Sequence, residues 1–267
     1  MLIFNSPVNP TGTHFNSETQ RSIIEIAKEH NLIIHCDEIF RPLFHATSSS
    51  AQIPTSFAEH QDLDYTRVIT TSSLSKCYGL SGVRVGWITT RDRELYDKFL
   101  NYRMYSIHAL SLLDEAIATE VLGPRCRQAI LDKHLRLAKR NLDLIQALVD
   151  RYPNRCEWVR PTAGAVSFVK FKDSKTGKAV DDVAFCAKLV ESKGVVLAPA
   201  SLCFAFDEVA ASSPNSELGG IGGAKGGGKG LEEFKGRVRI HFTCETETLE
   251  KGLKLLEEFL DEETSKA

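Results

Sequence analysis

Residues 1–40 read MLIFNSPVNPTGTHFNSETQRSIIEIAKEHNLIIHCDEIF, and this stretch decides the fold class. A short apolar run at residues 2–4 enters a turn rich in Pro and Asn, and a second apolar run with β-branched residues follows at 32–36. Between the two runs, apolar residues recur at helical spacing, and Ser17 with Gln20 matches a capping box, in which Ser17 would be the N-cap. Strand, helix and strand in this order form a βαβ unit, so the sequence predicts a parallel sheet.

The chain continues this alternation up to about residue 105. A loop at 46–64 leads to a predicted strand at 68–71 and a hydroxyl-rich turn that ends at Lys76. A further strand at 83–89 and a helix at 91–105 follow. We therefore expect more than one βα element on the same sheet.

The pattern changes after residue 109. A long helical stretch over 110–150, interrupted near Gly123 and Pro124, is typical of a helix pair that joins two domains. Beyond it the sequence predicts strands at 156–159, 166–171, 195–197 and 237–242, a helix at 180–193, and a last helix with Leu249, Leu253, Leu256 and Leu260 on one face. This order indicates an α+β module. The Gly- and Lys-rich residues 219–230 are predicted to form a surface loop.

Composition excludes several function classes. The 267 residues include 42% hydrophobic and 25% charged residues, which are ordinary values for a globular protein. The formal net charge is -2, so no nucleic-acid or membrane partner is expected. The seven cysteines are scattered and form no CxxC pair, which argues against a disulfide framework or a metal site. No apolar run is long enough to span a bilayer.

Polar side chains follow three of the predicted strands. Because ligands of open α/β sheets bind beyond the carboxyl ends of the strands, we expect these side chains to share one site. An amide, a carboxylate, two hydroxyls, an amine and a guanidinium together suit a ligand that carries a phosphate. The residues are Asn9, Asp37, Ser73, Ser75, Lys76 and Arg84. His35 lies near Asp37, but no second metal-ligand motif accompanies it, and we expect His35 to pack against the sheet.

Four stretches resemble the signatures of one known family, the class I/II aminotransferases of pyridoxal phosphate (PLP) fold type I. They are NSPVNPTG at 5–12, DEIF at 37–40, SLSKCYGLSGVRVGW at 73–87 and RVRIHF at 237–242. The resemblance covers essentially the whole chain. It implies an α/β PLP-dependent transferase fold, with a partial PLP-binding large domain over 1–109 that contains a mostly parallel sheet. Interdomain helices and a small α+β C-terminal domain would occupy 110–267.

The resemblance also implies a role for each polar residue. Lys76 would form the aldimine with PLP and, once released, act as the base that moves a proton at the substrate Cα. Asp37 would pair with the pyridine nitrogen, and Asn9 would hydrogen-bond the ring 3-oxygen. The phosphate would be held by Ser73, Ser75 and Arg84.

Substrate binding is implied for the arginine strand. Arg239 would bind the α-carboxylate, whereas Arg237, on the same strand face, is expected to be a surface or ion-pairing residue. Gly164 is either a small-domain glycine near the substrate or a plain turn residue. Cys77, beside Lys76, is expected to be a packing residue.

Two departures from the family pattern affect these expectations. Phe40 occupies the position where the family usually has a tyrosine that donates to the ring 3-oxygen, and Arg41 is a candidate to compensate. Much of the family's large domain precedes the motif that lies here at residues 5–12. We therefore expect an N-terminally truncated member.

The expected function is transfer of an amino group from an amino acid to a 2-oxo acid through a Lys76 aldimine. Other PLP chemistry stays open, namely a C–S lyase, an amino acid cyclase or an enzyme similar to ACC synthase, and so does an inactive fragment. The resemblance further implies a cytoplasmic homodimer.

Overall fold

The computed structural model describes residues 1–45, 53–203 and 233–265. The chain divides into two compact units. Unit 1 comprises Met1–Lys139 and Pro161–Ala165, and unit 2 comprises Arg140–Arg160 and Val166–Ala267. Within the described ranges, no helix combines the length and apolarity that crossing a bilayer requires. The surface loop predicted at 219–230 lies outside the described residues.

Unit 1 is built on a four-stranded sheet in the order β1-β2-β3-β4. The first three strands are parallel, and β4 runs antiparallel to β3. The sheet is thus mostly parallel, as the βαβ pattern predicts. Its strands are β1 (Leu2–Asn5), β2 (Ile34–Asp37), β3 (Val68–Ser73) and β4 (Gly86–Thr90).

Helix α1 (Ser17–Glu29) connects β1 to β2. Its buried residues Ile24 and Ala27 pack in one cluster with Ile34 of β2. The predicted capping box is wrong by one position. Asn16 is the N-cap, and its side-chain oxygen accepts from Thr19 N at 2.8 Å, so Ser17 is already the first helical residue. Asn and Ser cap equally well, which is why the pattern alone chose the wrong one.

The strand predicted at 83–89 begins three residues later than expected. Ser81–Val83 forms a 3-10 turn, and Arg84 adopts a left-handed conformation with φ +56°, so a regular strand starts only at Gly86. The described part of the predicted loop 46–64 contains two short 3-10 turns, Phe57–Glu59 and Gln61–Leu63.

Three helices follow β4, and they confirm the long helical pattern and its interruption. They are α2 (Arg93–Ser106), α3 (Leu112–Leu122) and α4 (Arg127–Arg151). Gly123 ends α3 with an extended backbone.

Unit 2 has an antiparallel four-stranded sheet in the order β5-β6-β8-β7. Its elements are β5 (Cys156–Trp158), β6 (Val166–Phe171), α5 (Asp182–Lys193), β7 (Ala198–Pro199), α6 (Ala200–Cys203), β8 (Arg237–His241) and α7 (Thr246–Ser265). The strand predicted at 195–197 is wrong, because the chain pairs with β8 only through Ala198 and Pro199.

The core of unit 2 is aromatic and aliphatic. The Phe171 ring stacks on Phe185 at 4.7 Å between centroids, and Phe185 meets Phe259 edge-on at 5.3 Å. All four leucines predicted on one face of the last helix are buried in α7. Unit 2 therefore has a hydrophobic core of its own.

Candidate functional site

The carboxyl ends of β1, β2 and β3 meet at one edge of the unit 1 sheet, because these strands are parallel and in register. Asp37 pairs with Asn5 of β1 on one side and with Thr71 of β3 on the other. Backbone bonds continue past the strand ends, from Ser6 N to Asp37 O at 3.0 Å and from Glu38 N to Thr71 O at 2.8 Å. The structure thus places the ends of β1, β2 and β3 side by side, with Asn9 and Lys76 in the segments that follow β1 and β3. That these residues share one site stays a prediction.

Asp37 is half-buried at the end of β2 and is held by neighbours on two sides. Its Oδ1 accepts from Ile39 N at 3.0 Å and lies 3.5 Å from the Thr71 hydroxyl oxygen. Thr71 Oγ1 is also 3.1 Å from His35 Nε2. The prediction that His35 only packs against the sheet is therefore incomplete, since its ring takes part in a hydrogen bond with the neighbouring strand.

Ser73, Ser75 and Lys76 lie where β3 ends and a compact loop begins. Ser75 N donates to Ser73 Oγ at 3.1 Å. The loop is closed by Leu74, whose N–H donates to Val85 O and whose carbonyl accepts from Leu80 N, both at 3.0 Å. The Lys76 side chain is exposed. The loop therefore presents an amine and two hydroxyls at the sheet edge on a backbone fixed by hydrogen bonds.

Cys77 anchors this loop from the inside. Its side chain is fully buried, and its Sγ lies 3.1 Å from Ile39 O and 3.2 Å from Arg41 O, so the single S–H proton can be shared between these two carbonyls. Burial raises the pKa of the Cys77 thiol to about 12, so the thiolate needed for nucleophilic chemistry is suppressed. The prediction of a packing residue is confirmed.

Arg84 stands at the same edge, because β4 returns antiparallel to β3 and Ser73 pairs with Gly86. The guanidinium is exposed, and its Nη1 donates to Ser81 O at 2.9 Å. This contact uses one of the several N–H groups of the side chain, so others can serve a ligand.

The loop that carries Asn9 is tightly folded and holds the segment Pro161–Ala165. Gly12 has φ +68°, and a Cβ on it would lie 2.5 Å from Pro161 Cβ, so only glycine fits there. Gly12 O accepts from Thr162 N and from Ala163 N, each at 2.9 Å.

Gly164 lies in this same segment and belongs to unit 1. Its N–H donates to Leu43 O at 2.8 Å, and its φ is +83°. A Cβ on Gly164 would lie 3.9 Å from both Pro7 and Phe40. Gly164 therefore faces the turn after β1 and the loop after β2.

The loop after β2 contains a group that the sequence did not reveal. The carboxylate of Glu38 is buried, and it accepts from Ser56 Oγ at 2.8 Å and from Phe57 N at 2.9 Å. Burial is the main influence and raises the pKa of Glu38, whereas the hydrogen bonds from Phe57 and Ser56 lower it. No local pattern could have indicated this role, because the partners lie 18 and 19 residues further along the chain.

Phe40 is buried and offers no hydrogen-bond donor. Arg41 is engaged elsewhere, with Nη1 donating to Pro54 O at 2.7 Å and Nε 4.0 Å from Glu38 Oε2. The guess that Arg41 compensates for Phe40 finds no support in these contacts.

Of the predicted site residues, Arg239 alone lies in unit 2. It is half-buried on β8, in register with Phe168 of β6 and Ala198 of β7. On the same face, Arg237 donates to Glu233 O at 2.9 Å and covers the Phe168 ring at 5.6 Å, so it is tied to its own surface as predicted.

The comparison with protein families gives the decisive observation. Residues 1–219 match the model of "Aminotransferase class I and II". The chain belongs to this family. The family indicated by the four sequence stretches is thus confirmed, and the family implies pyridoxal phosphate as the cofactor.

Individual relatives of the chain support its assignment to the aminotransferase family. The "Probable aspartate aminotransferase" of Methanocaldococcus jannaschii is 30% identical over 200 residues, which is 72% of this chain and 48% of that protein. The "Capreomycidine synthase" of Streptomyces vinaceus is 24% identical over 260 residues, 97% of this chain and 55% of that protein. The chain spans about half the length of the curated relatives it matches.

A solved structure confirms the predicted fold class. The PLP-dependent aminotransferase from Streptococcus suis 89-1591 superposes with a TM-score of 0.73 at 27% identity, over 97% of this chain and 57% of that one. The chain therefore has the PLP fold type I architecture over the part it spans.

The residues at the sheet edge fit such a cofactor by their chemistry. A half-buried carboxylate suits a protonated ring nitrogen, hydroxyls and a guanidinium suit a phosphate, and an exposed amine suits an aldehyde. Among residues 1–45, 53–203 and 233–265, no group of three or more His, Cys, Asp or Glu side chains could hold a metal ion.

Proposed function

We propose that this chain carries the cofactor-binding edge of a PLP-dependent transaminase, which moves an amino group from an amino acid to a 2-oxo acid. One observation carries the proposal. The segments that bear Asp37, Lys76 and Arg84 converge at a single edge of the sheet in a chain whose first 219 residues match the aminotransferase family.

The proposed cofactor contacts follow from the side-chain chemistry. Asp37 would hold the ring nitrogen in its protonated state, and Asn9 would donate to the ring 3-oxygen. The phosphate would be held by Ser73, Ser75 and Arg84, of which the guanidinium gives the strongest, charge-assisted bonds. When bound, PLP supplies an electron sink for a carbanion at the substrate Cα.

Lys76 is the proposed base. Its Nζ would take the proton from the substrate Cα, hold it, and later give it back in the second proton transfer of the reaction. A positioned base of this kind contributes about 10²–10⁴-fold to the rate. The buried Cys77 next to it fixes the backbone from which the lysine extends. Arg239 would bind the substrate carboxylate through a bidentate pair.

The first experiment is an absorbance titration of the full chain with PLP, followed by borohydride reduction and peptide mapping. We expect a visible absorbance band and a pyridoxyl group on Lys76. The Lys76→Ala variant should lose both, whereas Lys98→Ala, which removes an exposed lysine of α2, should keep them. Reduction at scattered lysines, or no band, would refute the proposal and favour the inactive-fragment hypothesis.

A second candidate is another PLP reaction, for example the cyclisation of an amino acid or β-elimination. The supporting observation is that a relative named as a synthase aligns with 97% of this chain, nearly as much as the 98% that aligns with an aspartate aminotransferase of Pyrococcus abyssi. Product analysis separates the candidates. Pyridoxamine phosphate with a 2-oxo acid supports transamination, whereas a cyclic amino acid, or pyruvate with ammonia, supports the alternative.

We further propose that the protein acts in the cytoplasm as a homodimer. Apolar surface on the helices of unit 1 supports association, since Tyr105 and Leu112 are 86% and 80% exposed. Light scattering after gel filtration tests this, and a monomer over the whole accessible concentration range would contradict it.

A further inference from the structure

Three polar side chains lie on one face of the unit 1 sheet. His35 and Asp37 are two positions apart on β2 and therefore share a face, and Thr71 of β3 is in register with Asp37. Thr71 Oγ1 lies 3.1 Å from His35 Nε2 and 3.5 Å from Asp37 Oδ1. The threonine hydroxyl thus connects the imidazole to the carboxylate.

The direction of these two hydrogen bonds follows from which of the three side chains has a proton to donate. An ionised carboxylate can only accept, and a threonine hydroxyl has one proton to donate. If Thr71 donates to Asp37, its lone pairs are left to accept, so His35 must donate from Nε2–H. The order is then His35 Nε2–H to Thr71 Oγ1–H to Asp37 Oδ1.

The two hydrogen bonds that the described residues supply to the Asp37 carboxylate both end on Oδ1, from Thr71 and from Ile39 N. Their convergence on Oδ1 restrains the orientation of the carboxylate and, among the described residues, leaves Oδ2 available to a ligand. The 3.5 Å separation is long for an O–H···O bond. Such contacts at reactive sites often tighten only when the ligand is bound.

We propose that His35 and Thr71 are positioning residues, which hold Asp37 in the orientation that its pairing with the cofactor ring nitrogen requires. This inference rests on the proposed function, because it assigns the pair a role toward the same carboxylate. Neither residue touches the cofactor in this scheme, and both act through Asp37.

The first test detects these hydrogen bonds in the protein without any cofactor. In ¹⁵N–¹H correlation spectra, the His35 ring should show the Nε2-protonated form in the wild type and in Thr71→Ser, with assignment from a His35→Gln variant. Thr71→Val should lose that preference. Thr70→Val, on the opposite face of the same strand, is the matched control and should resemble the wild type. Identical His35 signals in the wild type and Thr71→Val would overturn the inference.

The second test measures the effect of the same substitutions on PLP binding. Thr71→Val should bind PLP about tenfold more weakly in an absorbance titration, and Thr71→Ser and Thr70→Val should stay within about twofold of the wild type. Equal binding by Thr71→Val and the wild type would overturn the inference alone. Failure of the wild type to bind PLP would refute the proposed function, and with it the role of the pair toward the cofactor, whatever the spectra of His35 show.

Discussion

The two units differ in where their apolar side chains lie. In unit 2 the aromatic and aliphatic residues close on one another, and Phe171, Leu189 and Leu256 are almost completely inaccessible to solvent. In unit 1, helix α2 has no buried residue at all, although it carries Tyr96, Leu100 and Met104. Unit 2 thus has a core of its own, whereas unit 1 leaves an apolar helix surface open.

This difference bears on how the candidate site is stabilised. In unit 1, buried clusters lie beneath α1 and around the loop after β3, where Leu74 and Val85 pack with Val121 of α3. Small buried clusters of described residues therefore lie beneath the strands and the loop that form the polar sheet edge. We expect core substitutions to affect stability most in unit 2 and polar substitutions to affect the site most in unit 1.

The largest expected effect is the loss of a core aromatic ring. Phe171→Ala should lower the free energy of unfolding by about 3–5 kcal/mol, because the cavity cannot collapse around Phe185. Leu100→Ala on α2 should change it by only about 0.5 kcal/mol, since that side chain is already partly exposed. Urea unfolding of the full chain measures both variants.

The two tryptophans of the chain allow the units to be followed separately, since Trp87 lies in unit 1 and Trp158 in unit 2. Single Trp→Phe variants assign the fluorescence changes to one unit or the other. Equal losses for Phe171→Ala and Leu100→Ala would break the comparison between the units.

A smaller effect is expected for the buried amide of Asn141. Its Nδ2 donates to Phe242 O and to Cys244 O, both at 2.8 Å, just after β8. Asn141→Ala leaves these carbonyls without that donor, and we expect a loss of about 2 kcal/mol by urea unfolding. Asn101→Ala on the exposed face of α2 is the control, and a similar loss there would contradict the explanation.

The smallest expected effect concerns pH and Glu38. A carboxyl with a raised pKa binds its proton more tightly in the folded state than in the unfolded state. Its contribution to stability is therefore fully present below the usual pKa of 4.5 and is lost as the pH rises through the folded-state pKa. Glu38→Gln should lose less stability than the wild type as the pH rises from about 4.5 through the folded-state pKa of Glu38.

Urea midpoints across that range measure this difference. Glu18→Gln, which removes an exposed acid in the first turn of α1, controls for the change in net charge. A difference profile that is flat, or that rises in the opposite direction, would show that burial does not dominate at Glu38.

Much of the fold could be predicted from the sequence because local patterns and tertiary pairing agree there. The parallel strands, the helix pair split at Gly123 and the leucine face of α7 are examples. The failures occur where long-range pairing decides. The apolar run at 195–197 has strong strand preference, but only Ala198 and Pro199 meet β8. Likewise, the left-handed Arg84 breaks the strand that its neighbouring valines favour.

The site shows the same limit. Chain order and spacing placed Asp37 and Lys76 at one sheet edge, since the ends of parallel strands must meet. The partners of those residues were not predictable. Thr71 meets His35 only because β2 and β3 are paired, and Glu38 contacts Ser56, which lies 18 residues further along the chain. When a polar residue belongs to no local motif, its hydrogen-bond partner can be identified only once the pairing of the strands is known.

The placement of Pro161–Ala165 in unit 1 has a consequence for synthesis and for protein engineering. The chain passes between the units at three points, after Lys139, Arg160 and Ala165. On the ribosome, the backbone around Gly12 cannot receive its last partners until the first part of unit 2 has emerged. A single cut therefore cannot release unit 1 intact. A chimera that exchanges unit 2 needs three junctions, and the two on either side of Pro161–Ala165 must preserve the length of that segment.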